Sequence, residues 1–215
     1  MSLQRKEISS QPFSARVGGS YYSYAKGYQE VVKVYDPSCL EYTPSPRFGH
    51  CACLVQESWY VLGGVGHHPL SLVEEYNIVH ERWQQHKAEG DVPAASFGVA
   101  CAALQGKIYT FGGCTSNGKY SNVLSELDLG GMIWRALKPH NPPHAPILKK
   151  DAAMTTCDKC LVTFGGYGVL HEAVEQSRAA YDKDSKKKPE VWTNELIKCS
   201  LDQSEFILCC TRECI

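Results

Sequence analysis

Four glycine pairs, each closing an apolar or β-branched run, constrain this 215-residue chain more than any other feature. The runs are Ser14–Val17 before Gly18 and Gly19, Trp59–Leu62 before Gly63 and Gly64, Ile108–Phe111 before Gly112 and Gly113, and Leu161–Phe164 before Gly165 and Gly166. Their first glycines stand 45, 49 and 53 residues apart. A self-similar period of that size marks an array of stacked units rather than one irregular core. A second marker recurs in phase. Tyr42, Trp83, Trp134 and Phe206 each stand twelve residues after Glu30, Ser71, Asn122 and Asn194, with a strand-like segment between. The loops absorb the length differences while this distance stays fixed.

The middle copies show the whole unit. Arg47-Phe48-Gly49-His50 and Ser96-Phe97-Gly98-Val99 lead into apolar segments Cys51–Val55 and Ala100–Leu104. Gln56-Glu57 and Gln105-Gly106 turn the chain into the strand that ends at the glycine pair. A third strand follows a longer loop (Leu72–Tyr76, Val123–Leu127, and Glu195–Cys199 in the last copy), and the aromatic opens a fourth, Trp83–Lys87 or Trp134–Lys138. Four short strands per ~45–50 residues is the arithmetic of a β-propeller blade. Each blade is buried on both faces, so its inner strands tolerate continuous apolar runs. The glycines permit positive φ and close backbone approach, and the outer aromatics Trp83 and Trp134 fill the widening gap between blades.

These residues are similar to kelch repeats: an apolar strand ending in Gly-Gly, a later Tyr, then an aromatic. Tyr76 to Trp83 and Tyr35 to Tyr42 keep that order, whereas Leu127 and Cys199 replace the Tyr in the last two units. Arg47–His50 resembles the opening of a kelch unit, and Glu89–Pro93 the linker between blades. The resemblance runs from about residue 14 to 206. Within it, Glu89–Pro93, Phe111–Gly113, Phe164–Gly168 and Trp192-Thr193-Asn194 are most similar to the kelch-domain substrate receptors of cullin-2 ubiquitin ligases, which read protein C-termini. The fold class implied is all-β: an incomplete kelch-type propeller of about four blades of four-stranded antiparallel sheet, the first partial. The expected divisions are an extension over 1–13, a partial blade over 14–46, and blades over 47–95, 96–150 and 151–208. An insert occupies 167–191, and a Cys-rich tail, 209–215, reads as lying outside the blades. Kelch propellers usually close with six or seven blades, and no elongin–cullin docking motif is recognisable here. A fragment or isoform of a longer propeller and closure by self-association therefore both stay open.

Charge narrows the partners. Lys plus Arg number 22 against 23 for Asp plus Glu, a formal net charge of −1, which argues against phosphate-backbone recognition. No apolar run reaches the ~18–20 residues of a membrane span. The polar N-terminus shows no signal peptide, so a cytoplasmic or nuclear location is expected. The eleven cysteines then read as reduced, with Cys51, Cys53 and Cys101 packed as small hydrophobes.

On a propeller, function lies on rim loops held by the scaffold. The loops after the glycine pairs and the inter-blade connections offer Tyr21, Tyr22, Tyr24, Tyr28, His67, His68, Lys119, Tyr120, Lys149, Lys150 and Tyr167. Tyrosines among scattered cations suit a peptide ligand. If the resemblance to C-terminus readers holds, Arg47, Lys149, Lys150 and Tyr167 are the local groups for a terminal carboxylate. The histidines, His50, His67, His68, His140 and His144, have no spacing that imposes metal convergence, and no metal or cofactor is expected. Cys157 and Cys160 bracket Asp158-Lys159, which is in register with the Gln105-Gly106 turn, so a hairpin is favoured over a redox or zinc motif. Leu170, Ala173, Val174, Ser177 and Tyr181 fit a short amphipathic helix within Val169–Lys188. Copper oxidases and epimerases also use this architecture, but no nucleophile elbow, phosphate loop or paired carboxylates occur. The expectation is therefore a non-enzymatic protein-binding module, a substrate receptor for a cullin-RING ligase reached through elongin. The alternatives are a cytoskeletal or scaffold adaptor and an inactive truncated isoform.

Overall fold

The computed structural model describes residues 42–66, 73–94, 96–138, 146–169 and 190–201, together with the strand backbones at 14–17, 20–24, 31–35 and 207–211. Twenty-one strands and no helix occur among the described residues. Met1–Thr43 forms one unit and Pro44–Ile215 another. In the first, β1 (Ser14–Val17), β2 (Ser20–Tyr24) and β3 (Val31–Tyr35) make a three-stranded antiparallel meander. Tyr22 lies between Ala15 and Lys33.

The second unit contains three four-stranded blades. Blade I is β4 (Cys51–Val55), β5 (Ser58–Leu62), β6 (Val73–Asn77) and β7 (Arg82–His86), in that spatial order. The linker carries β8 (Glu89–Gly90) and β9 (Ser96–Phe97). Blade II consists of β10 (Ala100–Leu104), β11 (Lys107–Phe111), β13 (Leu124–Asp128) and β14 (Ile133–Leu137), and β8 adds to its outer edge in parallel. Between β11 and β13 the short β12 (Cys114–Thr115) pairs back to β9. Blade III is preceded by β15 (Leu148–Lys150) and comprises β16 (Ala153–Cys157), β17 (Cys160–Phe164), β20 (Leu196–Ser200) and β21 (Ile207–Thr211). A ribbon of β15, β18 (Tyr167–Val169) and β19 (Glu190–Trp192) stands at its end.

The local chemistry explains these boundaries. Two-residue turns join Val55 to Ser58, Leu104 to Lys107 and Cys157 to Cys160. Their first residues, Gln56, Gln105 and Asp158, take φ of 53°, 53° and 52°. The predicted hairpin at Asp158-Lys159 is thus where the register placed it. The third and fourth strands begin one residue from their predicted positions, because Trp83 and Trp134 sit second in their strands, opposite Tyr76 and Leu127. Glu195 accordingly lies just before β20.

The tail needs a larger correction. Cys209 and Cys210 belong to β21, opposite Lys198 and Ile197, and so complete blade III instead of lying outside it. The outer edge of β20 leaves a row of N–H and C=O groups that Ile207–Thr211 satisfies. The predicted helix at Leu170–Tyr181 and the aromatic marker Phe206 lie outside the described residues, as do Gly18 and Gly19.

Blade II is sandwiched. Its two faces alternate along each strand, as pleating requires. Tyr109, Phe111 and Leu124 pack with Leu161, Ile197 and Cys199 of blade III. Ile108, Leu127 and Trp134 face the other way, against Tyr60, Leu62 and Val73 of blade I. Burying one such aliphatic side chain is worth ~1.5–3 kcal/mol. The innermost strand β10 contacts both β4 and β16.

The six glycines of the described pairs all have positive φ. Gly63 shows why: at φ 64° its missing Cβ would stand 2.7 Å from the Ser96 carbonyl oxygen of the next blade. The following residue uses that closeness. Gly64 N–H donates to Ser96 O at 2.9 Å, and Gly113 N–H donates to Lys149 O at 2.8 Å one blade later. These two pairs are therefore seams between blades. A further seam links the residues that open each blade. Gly98 N–H donates to Gly49 O and Asp151 N–H to Gly98 O, both at 2.7 Å, with all three residues left-handed at φ 63°, 65° and 57°.

Candidate functional site

Every blade opening makes one short bridge to the residue after a glycine pair. Phe48 pairs with Val65, Phe97 with Cys114, and Lys150 with Tyr167. The three bridges are equivalent, so Phe48, Phe97 and Lys150 form a row across successive blades. The Phe48 and Phe97 rings lie 6.3 Å apart, and Lys150 Nζ stands 5.0 Å from the Phe97 ring centre. Lys150 also pairs with Asp151 at 3.0 Å. Phe48 is 65 % exposed, an unusual position for a large apolar ring.

The row continues onto the β15–β18–β19 ribbon, where Lys150, Tyr167 and Trp192 are in register. The ribbon can close because Gly168 has no side chain to meet the Leu148 carbonyl. Tyr167 packs 4.9 Å from Trp192 and edge-on to Tyr120 at 6.5 Å. Both phenols donate to one carboxylate: Tyr167 Oη to Glu190 Oε2 at 2.8 Å and Tyr120 Oη to Glu190 Oε1 at 3.2 Å. Partial burial, with the Glu190 charge next, pushes the Tyr120 phenol up to about 12. The hydrogen bond to Glu190 is the foremost cause raising Tyr167.

Two of the predicted carboxylate-binding cations are placed elsewhere. Arg47 donates to Glu74 Oε1 at 2.8 Å and to Gly63 O at 3.4 Å, with its side chain buried. Lys149 is 0 % exposed, pairs with Glu195 Oε2 at 3.1 Å and lies 5.7 Å from the Phe111 ring centre. They hold equivalent positions one residue before Phe48 and Lys150. Successive side chains on an extended segment point to opposite sides, so one position enters the blade and the next reaches the surface. Blade II carries Ser96 in place of the cation, and Ser125 at the register position of Glu74. Arg47 and Lys149 are thus internal staples, and Lys150 is the cation of this group that the rim presents.

Lys119 is exposed in the turn before Tyr120, while His67 and His68 lie outside the described residues. Among the described residues no three His, Cys, Asp or Glu side chains converge as metal ligands, and no helix is long and apolar enough to cross a membrane. Cys51, Cys53 and Cys101 pack together at the blade I–II interface. Hydrogen bonding with the Cys101 thiol and then burial push the Cys53 thiol far up, and a bond to Cys51 heads the causes raising Cys101. Such thiols are poor nucleophiles.

Sequence reasoning missed Phe48, Phe97, Glu190 and Trp192 as surface groups. The first two stood in the blade-opening runs and served only as markers. Glu190-Val191-Trp192 alternates like a half-buried strand, the one local signal it offered.

Comparison with known proteins agrees with this architecture. Residues 49–197 match the family model described as the KLHDC2/KLHL20/DRC7 Kelch-repeats domain. Host cell factor homolog hcf-1 of Caenorhabditis elegans is 36 % identical over 105 residues, covering 48 % of this chain and 13 % of that protein. Human Host cell factor 2 is 33 % identical over 102 residues, 46 % of this chain and 13 % of that protein. Kelch domain-containing protein 10 of Rattus norvegicus is 40 % identical over 65 residues, 30 % of this chain and 16 % of that protein. The chain thus spans well under a fifth of these relatives' lengths. With its glycine seams, its four-stranded blades and the family model over most of its length, the chain belongs to the kelch-repeat family, of which it carries an incomplete β-propeller.

Proposed function

We propose that this kelch-repeat interaction module binds short peptide segments along its rim, and that it reads peptide ends as a substrate receptor of a cullin-RING ligase. The observation that carries the peptide reading is the outward row Phe48–Phe97–Lys150, continuous with Tyr167 and Trp192. Exposed aromatic anchors beside a cation on rigid strands are the composition that dominates peptide interfaces. Lys150 is the group for a terminal carboxylate, since Arg47 and Lys149 are matched by buried acids. The ligase assignment rests on the resemblance of the short stretches at 89–93, 111–113 and 164–168 to cullin-2 kelch receptors.

The test is a panel of fluorescent peptides with free or amidated carboxyl ends, read by polarisation against the wild-type chain and Lys150→Ala. Free ends should bind at least about tenfold more tightly than amidated ones, a difference of ~1.4 kcal/mol, and Lys150→Ala should remove the preference. Equal binding of both forms refutes end-reading. Co-purification of elongin and cullin with the tagged chain supports the ligase role, and a peptide-binding chain that recovers neither favours an adaptor. One observation favours the adaptor reading: the rim also presents a carboxylate, Glu190, which a terminal carboxylate would avoid.

A further inference from the structure

Four acid side chains of the blades are met by basic side chains, and Glu190 differs from these four. Glu74 is held by Arg47, Glu75 by His86, Glu126 by Lys107, and Glu195 by Lys149. Glu190 accepts instead from two neutral phenols, and among the described residues no salt bridge reaches it. Lys150, in register with Tyr167 and Trp192, turns toward Asp151 and Phe97. Beside the carboxylate stand Tyr120 and Tyr167, meeting edge to face, and against Tyr167 packs Trp192, which is 77 % exposed and tilted at 55° to it. A carboxylate fixed by hydroxyls, with an exposed indole two residues on along the same strand face, attracts cations twice, by charge and by ring quadrupole.

We infer that Glu190, Tyr120, Tyr167 and Trp192 form an anchoring subsite for a cationic side chain, arginine foremost, of the bound peptide. A guanidinium is planar and weakly hydrated. It lies flat on an indole face while its N–H groups reach a carboxylate, which a compact ammonium does less well. The two phenol hydrogen bonds hold Glu190 in place before a ligand arrives, so little ordering is lost on binding. The subsite deepens the peptide reading and rests on it. It adds a requirement for positive charge at a position away from the carboxyl end.

The experiment follows the Trp192 indole N–H resonance, assigned through Trp192→Phe, in the full chain. The probes are Nα-acetyl-arginine amide, its neutral isostere Nα-acetyl-citrulline amide, and acetyl-glycyl-glycine, whose only charge is its carboxylate. The arginine probe should shift the Trp192 signal and the citrulline probe should not. Glu190→Gln should weaken the arginine response at least about fivefold, with the rest of the spectrum superimposable on wild type to show that the fold is intact. Trp192→Phe should likewise weaken arginine binding, followed through the Gly168 amide. Equal responses to arginine and citrulline, or an unchanged response in Glu190→Gln, overturn the subsite. If acetyl-glycyl-glycine perturbs the Lys150 region while arginine binds nowhere, the end-reading proposal stands and the cation subsite falls. If none of the three binds, both fall.

Discussion

The third strands of blades II and III occupy the same place in their sheets yet differ in burial. In β13, Leu124, Ser125, Glu126 and Leu127 are all buried. In β20, Leu196 is exposed, Ile197 buried, Lys198 exposed and Cys199 buried. The strand chemistry is comparable; the neighbours are not. Blade II is flanked by blades on both sides, whereas blade III is covered, among the described residues, on the blade II side. An apolar run is a sign of a covered face only when something stacks on it, and blade III leaves Phe164 and Leu196 open.

The largest expected effect breaks the internal staple of blade III. Lys149→Met removes the ammonium from buried Glu195, leaving the Ile147 N–H as a weaker donor, and should cost ~3–5 kcal/mol in chemical denaturation. Adding Glu195→Gln should recover much of that loss, because the penalty belongs to a buried charge that has lost its ammonium. Lys150→Met, one residue on and at the surface, should change stability by less than ~1 kcal/mol. Parity between neighbours decides the outcome.

Next come the two faces themselves. Leu127→Ala, at a fully buried position of blade II, should lower stability by ~2–5 kcal/mol. Phe164→Ser, 53 % exposed on the open face of blade III, should stay within ~0.5 kcal/mol. Light scattering should show the same Phe164→Ser chain associating less than wild type. Unchanged association would mean that this face does not mediate it.

Much of this contrast was legible in the sequence, and the rest was hidden for physical reasons. The glycine pairs and hairpin turns were readable because each is decided within a few residues by φ and by close approach, as at Gly63 and Gln105. The roles of Arg47 and Lys149 were not, since a one-residue change in parity sends a side chain to the opposite side. Lys149 and Lys150 are chemically alike, and one is buried while the other lies on the rim. Glu190 escaped because its partner Tyr120 lies 70 residues away. The outer strand Ile207–Thr211 escaped because Ile-Leu-Cys-Cys-Thr has no alternation to betray it.

Smaller effects sharpen the comparison at the rim. Tyrosine ionisation followed by ultraviolet absorbance should show Tyr120 titrating near 12, above the ordinary value of 10, and Glu190→Gln should bring it down. The neutral phenol is the favoured form in the folded chain. Between pH 10 and 12 the unfolded chain therefore releases the proton first, and stability falls as pH rises through that window. Last, an aromatic disulfide reagent should modify exposed Cys157 promptly in the native chain and reach Cys53 and Cys101 only on unfolding. Prompt reaction at Cys53 would show that the blade I–II interface opens.

Of the left-handed residues, Gly49 offers its carbonyl, Asp151 its amide, and Gly98 between them both, to neighbouring copies. Such a joint has a polarity, like the two ends of a growing filament. It also travels with the segment that encodes it. A duplicated unit arrives with both halves of its own fastener, whatever its remaining sequence, provided one residue accepts a left-handed backbone. New blades are thus coupled at birth, and the side chains beside the joint are left at liberty to diverge, as Phe97 and Lys150 have done.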